Sequence, residues 1–173
     1  GKQFLKLYNN SPDTLTKLFY HLYFNAFQPG SDMDIRSRTI LDPDPRIGKR
    51  IAGLSKDEIG YHEIKCIQQG NKNLKYSIHG TILQVELANP INSMDSAILE
   101  MDFKSQVPIQ IRRSGRDNKE GIDYSMAQWY PKLCNYDEQG WHTPPYVARE
   151  FYGPWGRFDV TIQMDSKYCI GAT

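Results

Sequence analysis

Long apolar runs, a surplus of charge and paired cysteines are what this 173-residue chain lacks. No stretch approaches the roughly eighteen apolar residues of a spanning helix, so no membrane span is expected. No basic-then-apolar leader opens the chain. Twenty-one Lys and Arg face twenty Asp and Glu, a formal charge of +1. That balance argues against a nucleic-acid partner, which calls for a strongly basic face. Three cysteines, Cys66, Cys134 and Cys169, are too few and too scattered for a disulfide framework or a C-x-x-C zinc site. Free, buried thiols are the expectation for them.

Catalytic signatures are missing as well. The four histidines, His21, His62, His79 and His142, include no i, i+4 pair, and H-E-x-x-H is absent. His62-Glu63 precedes strand-like residues, and His21 reads as a satisfied core or edge residue. There is no G-x-S-x-G elbow, no phosphate-cradling loop and no dinucleotide fingerprint. Cys134, flanked by Leu133 and Tyr136, reads as a packed thiol. Neither catalytic residues nor metal ligands are assigned in this chain.

What is present points to strands. Eleven Tyr, seven Phe and three Trp make the chain 12% aromatic, and thirteen Gly with ten Pro punctuate it frequently. At this length a core needs no covalent staples. Several segments alternate with period two, as a strand with one buried face does. Leu18, Tyr20, Leu22 and Phe24 form one such set, and both its faces are apolar enough for a central strand. Ile64 and Cys66 mark a shorter strand after Tyr61. Leu74, Tyr76 and Ile78 lead through a tight hairpin at Gly80 into Leu83, Val85 and Leu87. Leu99, Met101 and Phe103 follow. Phe158, Val160, Ile162 and Met164 give the cleanest alternation, then a turn at 165–167 and another strand from Tyr168. Long loops are expected over 27–60, 108–121 and 131–155, with one short helix over 46–54 capped by Asp44 and opened by Pro45. The expectation is an all-β fold: a mostly antiparallel sandwich or saddle with long loops and at most short helices.

Two regions could bind something. Arg112, Arg113, Arg116 and Lys119 form a basic cluster offset by Asp117 and Glu120. It reads as a solvated loop, as a clamp for carboxylate or phosphate, or as a partner for acidic groups on another domain. The aromatic stretch from Tyr124 to Tyr146 contains Trp129 and Trp141, and Trp155 follows. These indoles either stack on sugar rings, making a carbohydrate-binding sandwich, or fill a satellite core beneath the long loop.

The same residues carry a resemblance. Ser125-Met126-Ala127-Gln128-Trp129-Tyr130-Pro131 resembles the T-Q-x-[EQ] segment of zinc aminopeptidases of the aminopeptidase N and leukotriene-hydrolase type. Asp137 with Gly140-Trp141-His142 resembles the D-x-x-G-W-H variant of a Bacteroidetes branch. Glu150-Phe151-Tyr152, Phe158-Asp159-Val160-Thr161-Ile162 and Tyr168-Cys169-Ile170-Gly171 are similar to the stretches that close that family's N-terminal domain. Upstream, Asn10-Ser11-Pro12-Asp13 and the run from His21 to Phe27 are similar to the branch's opening strands. The likeness spans essentially the whole chain, 1–173, and is most specific over 124–171.

The resemblance implies a saddle-shaped N-terminal β-sandwich, one domain of a larger metallopeptidase. The zinc site and the G-x-M-E-N amine anchor would lie in a catalytic domain beyond this chain. It implies no cofactor in this fragment and zinc in the parent, with the catalytic domain of the same polypeptide as partner and a peptide as the parent's substrate. The parent is expected to be periplasmic or secreted. Gln128 matches the first pocket-lining position of the family segment, and Tyr130 replaces the acid or amide of the second. A phenol accepts a hydrogen bond from an ammonium but offers no charge at neutral pH. Arg112, Arg113 and Arg116 lie just upstream and are expected to face the same cleft.

Overall fold

The computed structural model describes residues 1–40, 47–148 and 151–172. The fold is all-β, with antiparallel sheets and one α-helix among the described residues. Two four-stranded sheets dominate. The first runs β1 (Lys2–Tyr8), β7 (Ser96–Gln106), β3 (Tyr61–Gln69), β4 (Lys72–Asn73). The second runs β10 (Lys132–Leu133), β2 (Leu15–His21), β6 (Ile82–Ile91), β5 (Tyr76–His79). Their facing sides meet in one core: Leu18, Tyr20, Leu83 and Val85 from the second sheet against Ile64, Ile67, Leu99, Met101 and Phe103 from the first. Period-two alternation delivers these side chains to a common face, except in β3, where a register shift between Ile64 and Cys66 brings both Ile64 and Ile67 inward.

The expected hairpin is there. His79 pairs with Ile82, leaving Gly80 and Thr81 as a two-residue loop. Gly80 has φ 58°, a conformation that a tight turn needs and a side chain resists. The expected strand through Phe24 ends early. β2 stops at His21, and Tyr23–Ala26 turn into a 3-10 helix that drops Tyr23 and Phe24 into the interior. β1 is an element that the alternation of the interior strands had overshadowed.

A second apolar cluster sits beyond that turn and joins Tyr23, Ala26, Phe27, Met33, Ile51, Ile111 and Tyr146. It lies under α1 (Asp32–Thr39) and the connecting loops. The loop expected over 27–60 thus contains a helix. Of the short helix expected over 46–54, Ile51–Gly53 form a single 3-10 turn; Asp44, Pro45 and Arg46 lie outside the described residues.

The end of the chain departs most from expectation. Residues 151–172 contain no strand, although the turn at 165–168 forms, with Tyr168 N–H donating to the Asp165 carbonyl. Phe158, Val160, Ile162 and Met164 are exposed. Alternation equips a segment with two faces, but a strand exists only through ladder bonds to a neighbour. Among the described residues no strand pairs with this segment. No helix among the described residues is long and apolar enough to cross a membrane.

Candidate functional site

The aromatic stretch and the basic loop are stitched together by one short ladder and by serine side-chain hydrogen bonds. β8 (Gly115–Arg116) pairs with β9 (Tyr124–Ser125). Ser114 Oγ donates to the Ser125 carbonyl at 3.1 Å and accepts from Ala127 N–H at 3.0 Å. Ser125 Oγ donates to the Arg113 carbonyl at 2.8 Å. Gly115 is obligatory for this arrangement. Its φ is 153°, and a Cβ there would lie 2.3 Å from Gln110 Cα.

This stitching brings Arg113 and Gln128 to the wall of a recess with a cavity volume of about 50 Å³. Tyr23, Phe24, Phe27, Tyr146 and Phe151 supply its apolar lining, with Ser114 and Ala127 beside Gln128. The rings pack edge to face: Tyr23 and Tyr146 centroids are 5.0 Å apart at 82°. Tyr146 is anchored through its N–H, which donates to Thr81 Oγ1 at 2.8 Å. Arg113 lays its guanidinium over the Phe151 ring, 5.4 Å from the centroid, and remains exposed to solvent.

Gln128 holds a left-handed backbone, φ 56°, which costs a non-glycine residue of order 1–2 kcal/mol. Such strain clusters where function needs a side chain aimed in a particular direction. It also separates Gln128 from Tyr130. In a continuous strand the two would share a face; the left-handed turn sends Tyr130 elsewhere. Its ring packs on Trp129, with centroids 5.5 Å apart, and on Phe158 at 6.1 Å, and burial raises its phenol pKa. Tyr130 therefore does not line the recess.

Two of the arginines are also directed away. Arg112 donates to the Ala148 carbonyl. Arg116 donates to the carbonyls of Asp57, at 2.6 Å, and Val107, at 3.3 Å, and pairs with Asp117. They brace the loop, and only Arg113 reaches the recess. Ser114, Tyr23, Tyr146 and Phe151 are lining residues that the sequence did not single out. The aromatic density of the 131–155 loop was the available signal for two of them.

The indoles divide. Trp129 and Trp141 pack half-buried against the main core, whereas Trp155 is wholly exposed. The histidines sit in separate surroundings. His21 and His62 are buried, and burial pushes both pKa values down to about 4, with Lys132 adding to the shift at His21. His142 Nε2 lies 2.6 Å from Asp137 Oδ2, on the hairpin of β11 (Tyr136–Asp137) and β12 (Gly140–Trp141). That imidazole holds the Asp137 carboxyl below its usual range. His79 Nε2 lies 3.1 Å from Ser77 Oγ. Among the described residues, no group of three or more His, Cys, Asp or Glu could hold a metal ion. Of the thiols, only Cys134 is buried, and burial lifts its pKa to about 12; Cys66 is half-buried and Cys169 exposed.

Comparison with family models, curated proteins and solved structures finds no match to this chain.

Proposed function

We propose that this chain is the non-catalytic N-terminal domain of a zinc aminopeptidase-like metallopeptidase. It would form one wall of the substrate pocket and dock on a catalytic domain of the same polypeptide. The observation that carries this reading is Gln128: the position that the resemblance assigns to the pocket lies on a recess wall and is held there by strained backbone.

The chemistry of that wall is specific. The Gln128 amide both donates and accepts, which suits a peptide backbone or a polar side chain. The aromatic lining accepts apolar atoms, and about 50 Å³ is room for a methyl-sized group or an ordered water. Arg113 sets a positive charge beside the recess, and Tyr130 is turned away. A substrate's α-ammonium gains no opposite charge from this wall, so its anchoring falls to the other domain. Zinc, held by that other domain, would polarise the attacking water; the residues here orient the substrate and exclude solvent.

The test uses the whole polypeptide. Gln128→Ala should raise KM for aminoacyl reporters about three- to tenfold, the worth of one hydrogen bond, and change kcat less. This chain by itself should release no amino acid from those reporters. Turnover by the isolated chain, or unchanged kinetics in the variant, would overturn the reading. A carbohydrate-binding sandwich is the second reading, and Trp155 favours it because its indole is free to stack on a sugar. Saturable glycan binding abolished by Trp155→Ala would select it.

A further inference from the structure

We propose that residues 158–164 add as an antiparallel strand to the open edge of β1 in a second copy of this chain, so that two copies exchange strands reciprocally.

The donor is prepared for pairing but unpaired. Phe158, Val160, Ile162 and Met164 alternate with Asp159, Thr161 and Gln163, and the four apolar side chains are exposed. The acceptor is equally incomplete. β1 pairs with β7 along its whole length on one side and with no strand on the other among the described residues. Seven residues of open edge invite another strand.

Their faces match. Leu5 and Leu7 point inward, half-buried against the same core cluster that Trp129 and Leu133 pack on. Setting Val160 opposite Leu5 places Phe158 opposite Leu7 and Ile162 opposite Gln3, which extends that apolar face. The same register puts Asp159 opposite Lys6 on the outer face. Lys6 has no carboxylate partner among the described residues; its ammonium rests over the Tyr8 ring, 4.8 Å from the centroid. Within its own segment Asp159 bonds the exposed Arg157, at 3.2 Å, so Lys6 would join that pair across the ladder. Opposite charges there stabilise it and favour this register and direction.

The donor's own edge is poorly placed. Phe158 packs on Tyr130, next to Pro131, whose carbonyl accepts the Gln3 side-chain amide. The segment therefore starts at the Gln3 end of its own β1, about 13 Å of strand away from Leu7. Within one chain it could run only parallel, with Asp159 opposite Phe4 and Lys6 still unpaired. A second copy removes that constraint. Each copy holds one donor and one acceptor, so the exchange closes with two-fold symmetry.

Sedimentation across micromolar to millimolar concentrations should show a monomer–dimer equilibrium. Thr161→Pro removes the ladder donor opposite Phe4, whose backbone groups face the open edge because Gln3, Leu5 and Leu7 bond β7. Thr161 is exposed, and the change should raise the dimer dissociation constant by at least about a hundredfold, with the circular dichroism of the monomer unchanged. Asp159→Lys should weaken the dimer about fivefold, and Lys6→Asp in the same chain should restore it. A synthetic peptide covering 156–166 should compete with dimerisation. A chain that stays monomeric over the whole range would overturn the proposal. So would a dimer indifferent to Thr161→Pro, or a monomer whose 158–164 amides resist hydrogen exchange, because the strand would then pair elsewhere.

Discussion

At His62 the imidazole stacks on Phe24 with centroids 4.9 Å apart, and Nδ1 lies 2.6 Å from Ser105 Oγ. Its Nε2 is buried with no hydrogen-bond partner among the described residues, as is Nδ1 of His21, whose ring stacks on Tyr23 at 5.2 Å. Both rings fold as the neutral form, because burial penalises the cation and no carboxylate compensates. In the unfolded chain each would titrate near 6.5, against about 4 when folded. Between those values the unfolded state binds more protons. Stability is therefore full above pH 6.5, falls as pH drops through the window, and levels off below about 4. Each histidine contributes up to about 3 kcal/mol to that loss. Urea unfolding at intervals from pH 7 to 4 should show the decline, and His62→Phe should make it shallower. A flat profile would mean that the rings are solvated.

Among the elements, α1 shows what holds a segment that hydrophobic patterning does not explain. Its sequence, Asp32–Thr39, buries little beyond Met33 and Asp34. The helix rests on its start: Ser31 Oγ accepts from Asp34 N–H at 3.2 Å and donates to the Ala26 carbonyl at 2.6 Å. Asp34 then accepts from Gly30 N–H and from Arg38 one turn on. Ser31→Ala should cost about 1–2 kcal/mol by losing the cap and the tie to the preceding 3-10 turn; thermal unfolding of the variant measures it. This helix was illegible in the sequence because its stabilisation is polar and local, with no apolar stripe to count. β5 and β6 were legible for the opposite reason: alternation and Gly80 agree. The segment 158–164 has the same alternation, yet no strand forms, because pairing depends on which edge is within reach.

For the molecule as a whole, the shared core between the two sheets is the main source of stability. Leu83 is fully buried there, among Leu18, Tyr20 and side chains of the opposite sheet. Leu83→Ala removes buried methyl groups and leaves a cavity, and should cost about 2–5 kcal/mol in chemical denaturation. Exposed Ile98, on the outer face of β7, should tolerate the same change within about 0.5 kcal/mol. Equal losses at the two sites would contradict the two-layer arrangement.

Pleat periodicity is written residue by residue, so the chain's all-β class, its central hairpin and the inward set at Leu18, Leu83, Leu99 and Met101 were determined by sequence. Only tertiary structure decided which arginine reaches the recess. Arg112 and Arg116 spend their donors on backbone carbonyls brought from distant segments, and the left-handed turn at Gln128 rotates Tyr130 out of the wall. Such outcomes depend on contacts between residues far apart in the chain, and local pattern carries no record of them.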